Sequence, residues 1–377
     1  MGDRLLQAVA ERLAYNLRLS DSLSRLGGDE FVCLLEDVVD GREAMRVADK
    51  MLALLAGTFD VAGHEVHLSG SIGICVFPED GTDRETLVRN ADTAMFRAKA
   101  EGRGRSHFYT PEMTEAARRR LQMDAALRRA REAGELSLHY QIKVDREGRP
   151  AGAEALLRWH SAEFGPVPPS QFIPLAEDTG LIVRLGEWVL REACLQAMRW
   201  QEQGLALPSI AVNLSVKQLE HPDFMGQLAA VVEDSGWPTD RLELEITESM
   251  IMDGERAIET LNLLREAGFG IAIDDFGTGY SSLAYLKRLP VTALKIDRSF
   301  VDGIGRGGGD EAIIRTVVAL AQRLGCTTVA EGVETEEQRR VLLGEGVDLL
   351  QGYGLGRPMG GEAFAADWQA RLAGSGR

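Results

Sequence analysis

Residues 242–247 read LELEIT, residues 255–267 read ERAIETLNLLREA, and residues 270–275 read GIAIDD. A strand-like alternating run, a helical segment and a second apolar run make one strand–helix–strand unit. Working outward, the pattern recurs after Gly134. Strands are predicted at 137–142, 152–159, 210–214, 242–247, 270–275, 293–297, 327–331 and 348–352. Helices at 184–203, 224–235, 255–267, 310–324 and 335–344 separate most of them. Eight strands with intervening helices over roughly 250 residues predict an α/β fold, a (β/α)8 TIM-like barrel. A doubly wound open sheet is the alternative, but no G-x-G-x-x-G follows the first strand.

The residues before this repeat follow a different plan. Leu5, Leu6, Val9, Leu13 and Leu17 have helical spacing within 3–19. Arg25 to Leu35, RLGGDEFVCLL, reads as two short strands around a glycine turn, a hairpin. Residues 42–56 return to helical spacing, 65–76 alternate like strands, and 84–101 form an amphipathic helix. This mixed α+β unit closes near Phe108. From Pro111 to Ala133 the chain is rich in Arg, Glu, Ala and Leu, which predicts a connecting helix with salt-bridging pairs. The expected organisation is therefore residues 1–108, a linker helix in 109–133, and a barrel over 134–377.

Composition narrows the function classes. The 377 residues are 45% hydrophobic and 27% charged, ordinary for a globular chain, and two domains are the prior at this length. A formal charge of −16 argues against a broad basic surface for a nucleic acid polymer. It does not argue against a small phosphate ester neutralised by metals and a few local cations. The four cysteines (Cys33, Cys75, Cys194, Cys326) are far apart with no C-x-x-C pair, and the start is amphipathic with Arg4, Glu11 and Arg12. A reduced, cytoplasmic setting is expected. The six histidines are scattered without H-E-x-x-H, and no apolar run is long enough to span a membrane.

Polar residues collect in or just after the predicted strands. In order they are Gln141; Glu154 and Arg158; Asn213; Glu245 with Glu248; Asp274 and Asp275; Lys295 and Asp297; Glu331; and Gln351. The C-terminal rim of such a barrel holds the active site, so these side chains are expected at one mouth. Carboxylates and an amide without a histidine cluster form a hard oxygen-donor set, which suits Mg²⁺ or Mn²⁺ rather than zinc. Adjacent Asp274 and Asp275 repel unless a cation or proton intervenes, and bridging two ions resolves that. Two ions can activate a water and steady a phosphoryl centre, with Lys295 adding positive charge. Each residue also has a plainer reading. Asn213 and Gln141 could be interior hydrogen-bond partners, Lys295 and Asp297 an ion pair, and Asp274-Asp275 a turn cap. The set as a whole resists that reading, because burying unpaired charge is expensive.

These stretches resemble the EAL family of c-di-GMP phosphodiesterases. The matching segments are EALLRW (154–159), VNLS (212–215), ELEITE (243–248), DDFGTGYSSL (274–283), LKID (294–297), AEGVET (330–335) and QGY (351–353), over about residues 126–365. The resemblance implies a barrel that hydrolyses c-di-GMP to linear pGpG. It implies one ion held by Glu154, Asn213, Glu245 and Asp274, and a second held by Asp274, Asp275 and Glu331. Lys295, Glu331, Glu248 and Gln351 are implied catalytic residues. Lys295 would position or polarise the attacking water, Gln351 would hold water or ligand, and Glu248 would steady the loop 277–286. Whether Glu331 also acts as general base is left open. Gln141, Leu157, Arg158 and Asp297 are implied substrate contacts, and a homodimer through the barrel is implied as well. One departure is Tyr140-Gln141-Ile142 where the family often has Tyr-Gln-Pro, and Ile does not fix φ as proline does.

The front unit resembles the second part of a GGDEF diguanylate cyclase. GGDEF itself lies at 27–31, ADTAMFRAK at 91–99, and RLSD at 18–21, where Arg18 and Asp21 match that family's inhibitory c-di-GMP site. The family's first strand, with its metal-binding Asp, has no counterpart before Gly2, so this unit is expected to regulate or stabilise rather than to catalyse. Three readings of the whole chain follow: an active phosphodiesterase, a c-di-GMP receptor that no longer cleaves, and a structural partner with a vestigial mouth. The complete ligand set favours the first.

Overall fold

The computed structural model describes residues 2–38, 40–61, 63–251, 255–278, 289–307 and 309–374. Contacts divide the chain into two compact units, residues 1–122 and 123–377.

The first unit begins with α1 (Gly2–Ala14), the hairpin β1 (Ser22–Gly27) and β2 (Glu30–Leu34), and α2 (Gly41–Ala56). It continues with β3 (Phe59–Val61), β4 (His64–Val66), β5 (Ser71–Ile74), α3 (Arg84–Ala100) and β6 (Arg105–Phe108). The predicted hairpin at 25–35 forms as an antiparallel pair, and β5 and β6, which flank α3 in the chain, pair with each other in parallel. Asp40 and Asp83 cap the first turns of α2 and α3 through their side chains, each satisfying a backbone N–H that the helix leaves free. Val9, Leu13, Met51, Phe59 and Val61 form the small core. The division between units falls inside α4 (Pro111–Ala130), the predicted connecting helix.

The second unit contains β7 (Leu136–Val144), β8 (Pro150–Ser161), β9 (Gly165–Val167), α5 (Pro169–Asp178), α6 (Ile182–Glu202) and β10 (Ile210–Asn213). Next come α7 (Val216–Leu219), α8 (Phe224–Ser235), β11 (Leu242–Thr247), α9 (Glu248–Ile251), α10 (Glu255–Glu266) and β12 (Gly270–Phe276). It ends with β13 (Ala293–Ile296), α11 (Arg298–Asp302), α12 (Asp310–Leu324), β14 (Thr327–Ala330), α13 (Glu336–Glu345), β15 (Leu349–Leu350) and α14 (Gly361–Gly374). Strand pairing runs β10-β11-β12-β13-β14-β15-β7-β8, and β8 also pairs with β10, which closes a barrel of eight strands.

One strand departs from an all-parallel barrel. The first barrel strand, β7, is antiparallel to both neighbours, β8 and β15. The cause is the short link. Asp145 accepts from the backbone N–H of Glu147 and Arg149 and turns the chain at once. A link that short has no room for the crossover helix a parallel pair needs. Every other barrel strand pairing is parallel.

Strand alternation sorts the side chains. Leu242, Leu244 and Ile246, Ile271 and Ile273, and Leu294 and Ile296 lie in the apolar shell between barrel and helices. The residues between them therefore face the interior. Ala211, Ala272 and Ala293 alternate with shell residues in the same way and are small and buried, whereas Lys143 and Lys295 are long and buried.

Candidate active site

Lys295 is the centre of the site. It is 1% exposed. Its ammonium lies 2.6 Å from Glu245 Oε2, 2.6 Å from Glu331 Oε1, 3.1 Å from Asp274 Oδ1 and 3.9 Å from Glu154 Oε2. Four carboxylates from β8, β11, β12 and the end of β14 thus meet at one nitrogen. Asn213 joins them by donating to Glu154 Oε1 at 2.7 Å. Gln351 donates to Glu154 Oε2 at 2.6 Å and to Gln141 Oε1 at 3.1 Å, and its own buried Oε1 has no protein partner. Gln351 reaches this position because Gly352 follows it: a Cβ there would lie 2.1 Å from the backbone N of Val333.

The sharp turn after β12 places the remaining acid. Pairing of β12 with β13 shifts between Ile273 and Phe276, and Asp275 takes a φ of 54°. That left-handed conformation is uncommon for a residue with a Cβ, and short polar side chains tolerate it best. It brings carboxylate oxygens of Asp274, Asp275 and Glu331 within 4.8 Å of one another. Glu248, 5% exposed at the start of α9, accepts from the backbone N–H of Gly277 at 2.9 Å. The rest of the loop it is expected to steady, from 279 to 286, lies outside the described residues.

Electrostatics follow from burial and crowding. Burial pushes the Glu331 carboxyl up to about 8, against the pull of Lys295 and with the help of Asp274 and Glu154. Burial, then Glu245, also raise Glu154. Asp275 rises to about 6 through burial and its neighbours Asp274 and Asp297. Glu245 goes the other way. Burial raises it, but Lys143 and Lys295 outweigh burial and hold it at about 2. Carboxyls pushed up in one corner mark negative charge that the protein's own cations do not match. Three carboxylates at this spacing are hard donors, so the set fits a small divalent cation.

The other predicted residues are placed as follows. Arg158 is half-buried, and its guanidinium donates to the Leu157 carbonyl at 2.9 Å. Leu157 itself points the other way on β8 and packs against the apolar shell. Asp297 does not pair with Lys295 but caps α11, accepting from Ser299 N–H at 3.0 Å. Ile142, the departure from the family's proline, is 2% exposed in the outer shell. In the first unit Asp21 accepts from the backbone N–H of Arg18 at 2.9 Å, and Arg18 pairs with Glu43 at 2.7 Å.

Two residues escaped the sequence reading. Lys143 is 2% exposed and lies inside the barrel, 2.7 Å from Glu243 Oε1 and 2.8 Å from Glu245 Oε1. Its signal was available: Lys143 is two positions from Gln141, on the same face of β7 and opposite Tyr140 and Ile142. Glu243 bears the same relation to Glu245 on β11.

Comparison with known proteins places this geometry. The EAL domain model matches residues 124–358, and the model described as diguanylate cyclase, GGDEF domain, matches residues 1–105. A bifunctional diguanylate cyclase/cyclic di-GMP phosphodiesterase of Pseudomonas aeruginosa, MucR, is 45% identical over 368 residues, covering 97% of this chain and 54% of that protein. The cyclic di-GMP phosphodiesterase PdeR of Escherichia coli is 38% identical, covering 96% and 55%. The chain thus spans about half the length of these curated relatives. A solved PaMucR phosphodiesterase in complex with c-di-GMP superposes with a TM-score of 0.63 at 47% identity, over 64% of this chain and 99% of that one. The EAL domain of Mycobacterium smegmatis DcpA gives 0.54 at 39%, over 62% and 98%. Because the EAL domain model covers more than half of its residues and a solved relative superposes at 47% identity, this chain belongs to the EAL domain family.

Proposed function

We propose that the protein hydrolyses c-di-GMP to linear pGpG with the help of two Mg²⁺ or Mn²⁺ ions. The observation that carries this reading is the convergence of Glu154, Glu245, Asp274 and Glu331 on Lys295, beside the Asp274, Asp275 and Glu331 cluster. Relatives named as cyclic di-GMP phosphodiesterases support the substrate.

Glu154, Asn213, Glu245 and Asp274 would hold one ion, and Asp274, Asp275 and Glu331 the other. When bound, such ions polarise a phosphodiester and lower the pKa of an attacking water. Lys295, in contact with the carboxylates that would hold the ions, would add positive charge where it builds up on phosphoryl oxygens. Glu331 lies beside Lys295 and the Asp274–Asp275 pair and would serve the second ion as a carboxylate, giving up the proton that its metal-free burial retains. The unpartnered Oε1 of Gln351 is an acceptor for a water or a ligand N–H. Arg158 supplies a half-buried cation for a phosphate oxygen, and Gln141 and Asp297 complete the substrate contacts in this reading, whereas the Leu157 side chain faces the apolar shell and takes no part. Glu248 fixes the start of the loop after β12.

Residues 1–108 enter as a regulatory or structural unit, with Arg18 and Asp21 as a c-di-GMP site and residues 109–133 as the connection to the barrel at 134–377. A homodimer through the barrel and a cytoplasmic setting belong to the same proposal. No described helix is long and apolar enough to cross a membrane, and all four thiols are free. The test is incubation with c-di-GMP and Mg²⁺ or Mn²⁺, with chromatography for pGpG. Wild type should form pGpG and Glu154→Ala should not. Tight binding without product would make the protein a receptor instead.

A further inference from the structure

We infer that Lys143 is a positioning residue that sets the ion preference of the site, by making Glu245 a ligand through one oxygen only. The inference rests on the proposed two-ion reading and concerns a residue which that reading does not use.

Glu245 is fully buried, and each of its carboxylate oxygens faces a different lysine. Oε2 lies 2.6 Å from Lys295, and Oε1 lies 2.8 Å from Lys143. The two lysines are not equivalent. Lys295 has alternatives, since Asp274, Glu331 and Glu154 surround the same ammonium. It can release Oε2 and keep its other partners. Lys143 has no such choice, because its other carboxylate contact, Glu243 at 2.7 Å, lies two residues back on the same strand. Gly152 is its cross-strand neighbour, and a Cβ there would sit 3.9 Å from Lys143 Cδ. Held from the N-terminal side, Lys143 pins Oε1, and only Oε2 remains to turn toward an ion.

A carboxylate limited to one oxygen favours a small ion with near-octahedral geometry. Ca²⁺ takes six to eight oxygens and readily uses both oxygens of one carboxylate. Removing Lys143 frees Oε1 for a second bond, which a Ca²⁺ coordination sphere uses more readily than a six-coordinate Mg²⁺ or Mn²⁺ sphere. The expected signature is therefore a change in the ratio of affinities. Lost charge alone alters the affinity for every divalent ion alike and leaves that ratio unchanged.

The experiment is direct Mn²⁺ binding to the full chain without nucleotide, read from the free-Mn²⁺ electron paramagnetic resonance signal, with Ca²⁺ as competitor. In Lys143→Met the Ca²⁺ to Mn²⁺ affinity ratio should rise about tenfold, the scale of one charge-assisted contact. Lys143→Met with Glu243→Gln removes one charge of each sign, so it keeps the buried balance and should show the same rise. A ratio within twofold of wild type in a folded variant overturns the inference while leaving the two-ion reading intact. Absence of Mn²⁺ binding by the wild type would instead overturn the two-ion reading.

Discussion

Lys295→Met tests the centre of the site most directly. The substitution keeps a side chain of similar length and removes an ammonium with three carboxylate contacts of 3.1 Å or less. Hydrogen bonds to charged groups contribute about 1.5–3 kcal/mol each. Desolvating the ammonium offsets part of that, and removing one partner of a buried ion cluster costs about 3–5 kcal/mol. Without added metal, urea unfolding at pH 8 should show a loss of that order. Mg²⁺ should recover much of it, because an ion binding the native carboxylates stabilises the fold by mass action. In the hydrolysis assay kcat should fall about 10²–10³-fold with KM changed far less, the pattern for a charge used in the transition state. A variant with kcat within threefold of wild type and unchanged metal-free stability would refute the claim that this ammonium organises the site.

Glu248→Ala removes the acceptor of the Gly277 N–H, so kcat should drop about tenfold while unfolding stays cooperative; unchanged kinetics would deny the turn after β12 any role. Glu331 has its carboxyl raised from 4.5 to about 8, so the metal-free native state keeps a proton that the unfolded chain releases, and its stability should fall as pH rises through that window. The same proton must leave when an ion binds, so calorimetry at pH 7 in buffers of different ionisation enthalpy should show about one proton released per chain; no buffer dependence would contradict the burial argument. Deleting residues 1–108 should leave measurable hydrolysis, because the barrel's strands close on themselves without that unit; complete loss in a well-folded product would show that the first unit completes the site.

Strand and helix positions were legible because burial of one face imposes a period that the chain must carry in its residues. The helices at 224–235 and 310–324 form as predicted, and the barrel strands differ by a residue or two at their ends. The acids at the strand ends were legible for a related reason: charge at the C-terminal rim of a barrel has few structural uses. The hairpin joining β7 and β8 was harder to see, since it depends on where a few turn residues reverse the chain rather than on any periodic pattern.

The sequence by itself determined that an eight-stranded α/β barrel carries Glu154, Asn213, Glu245, Asp274, Asp275, Lys295 and Glu331 near its strand ends, because alternation and strand order are local properties. Only the tertiary structure decided that Lys143 divides the oxygens of Glu245 with Lys295. It also decided that Asp275 turns through a positive φ to meet Glu331. Those facts depend on which strands are neighbours and how their registers align. A contact between residues about a hundred positions apart in the chain, such as Lys143 with Glu245, exists only once the barrel has closed.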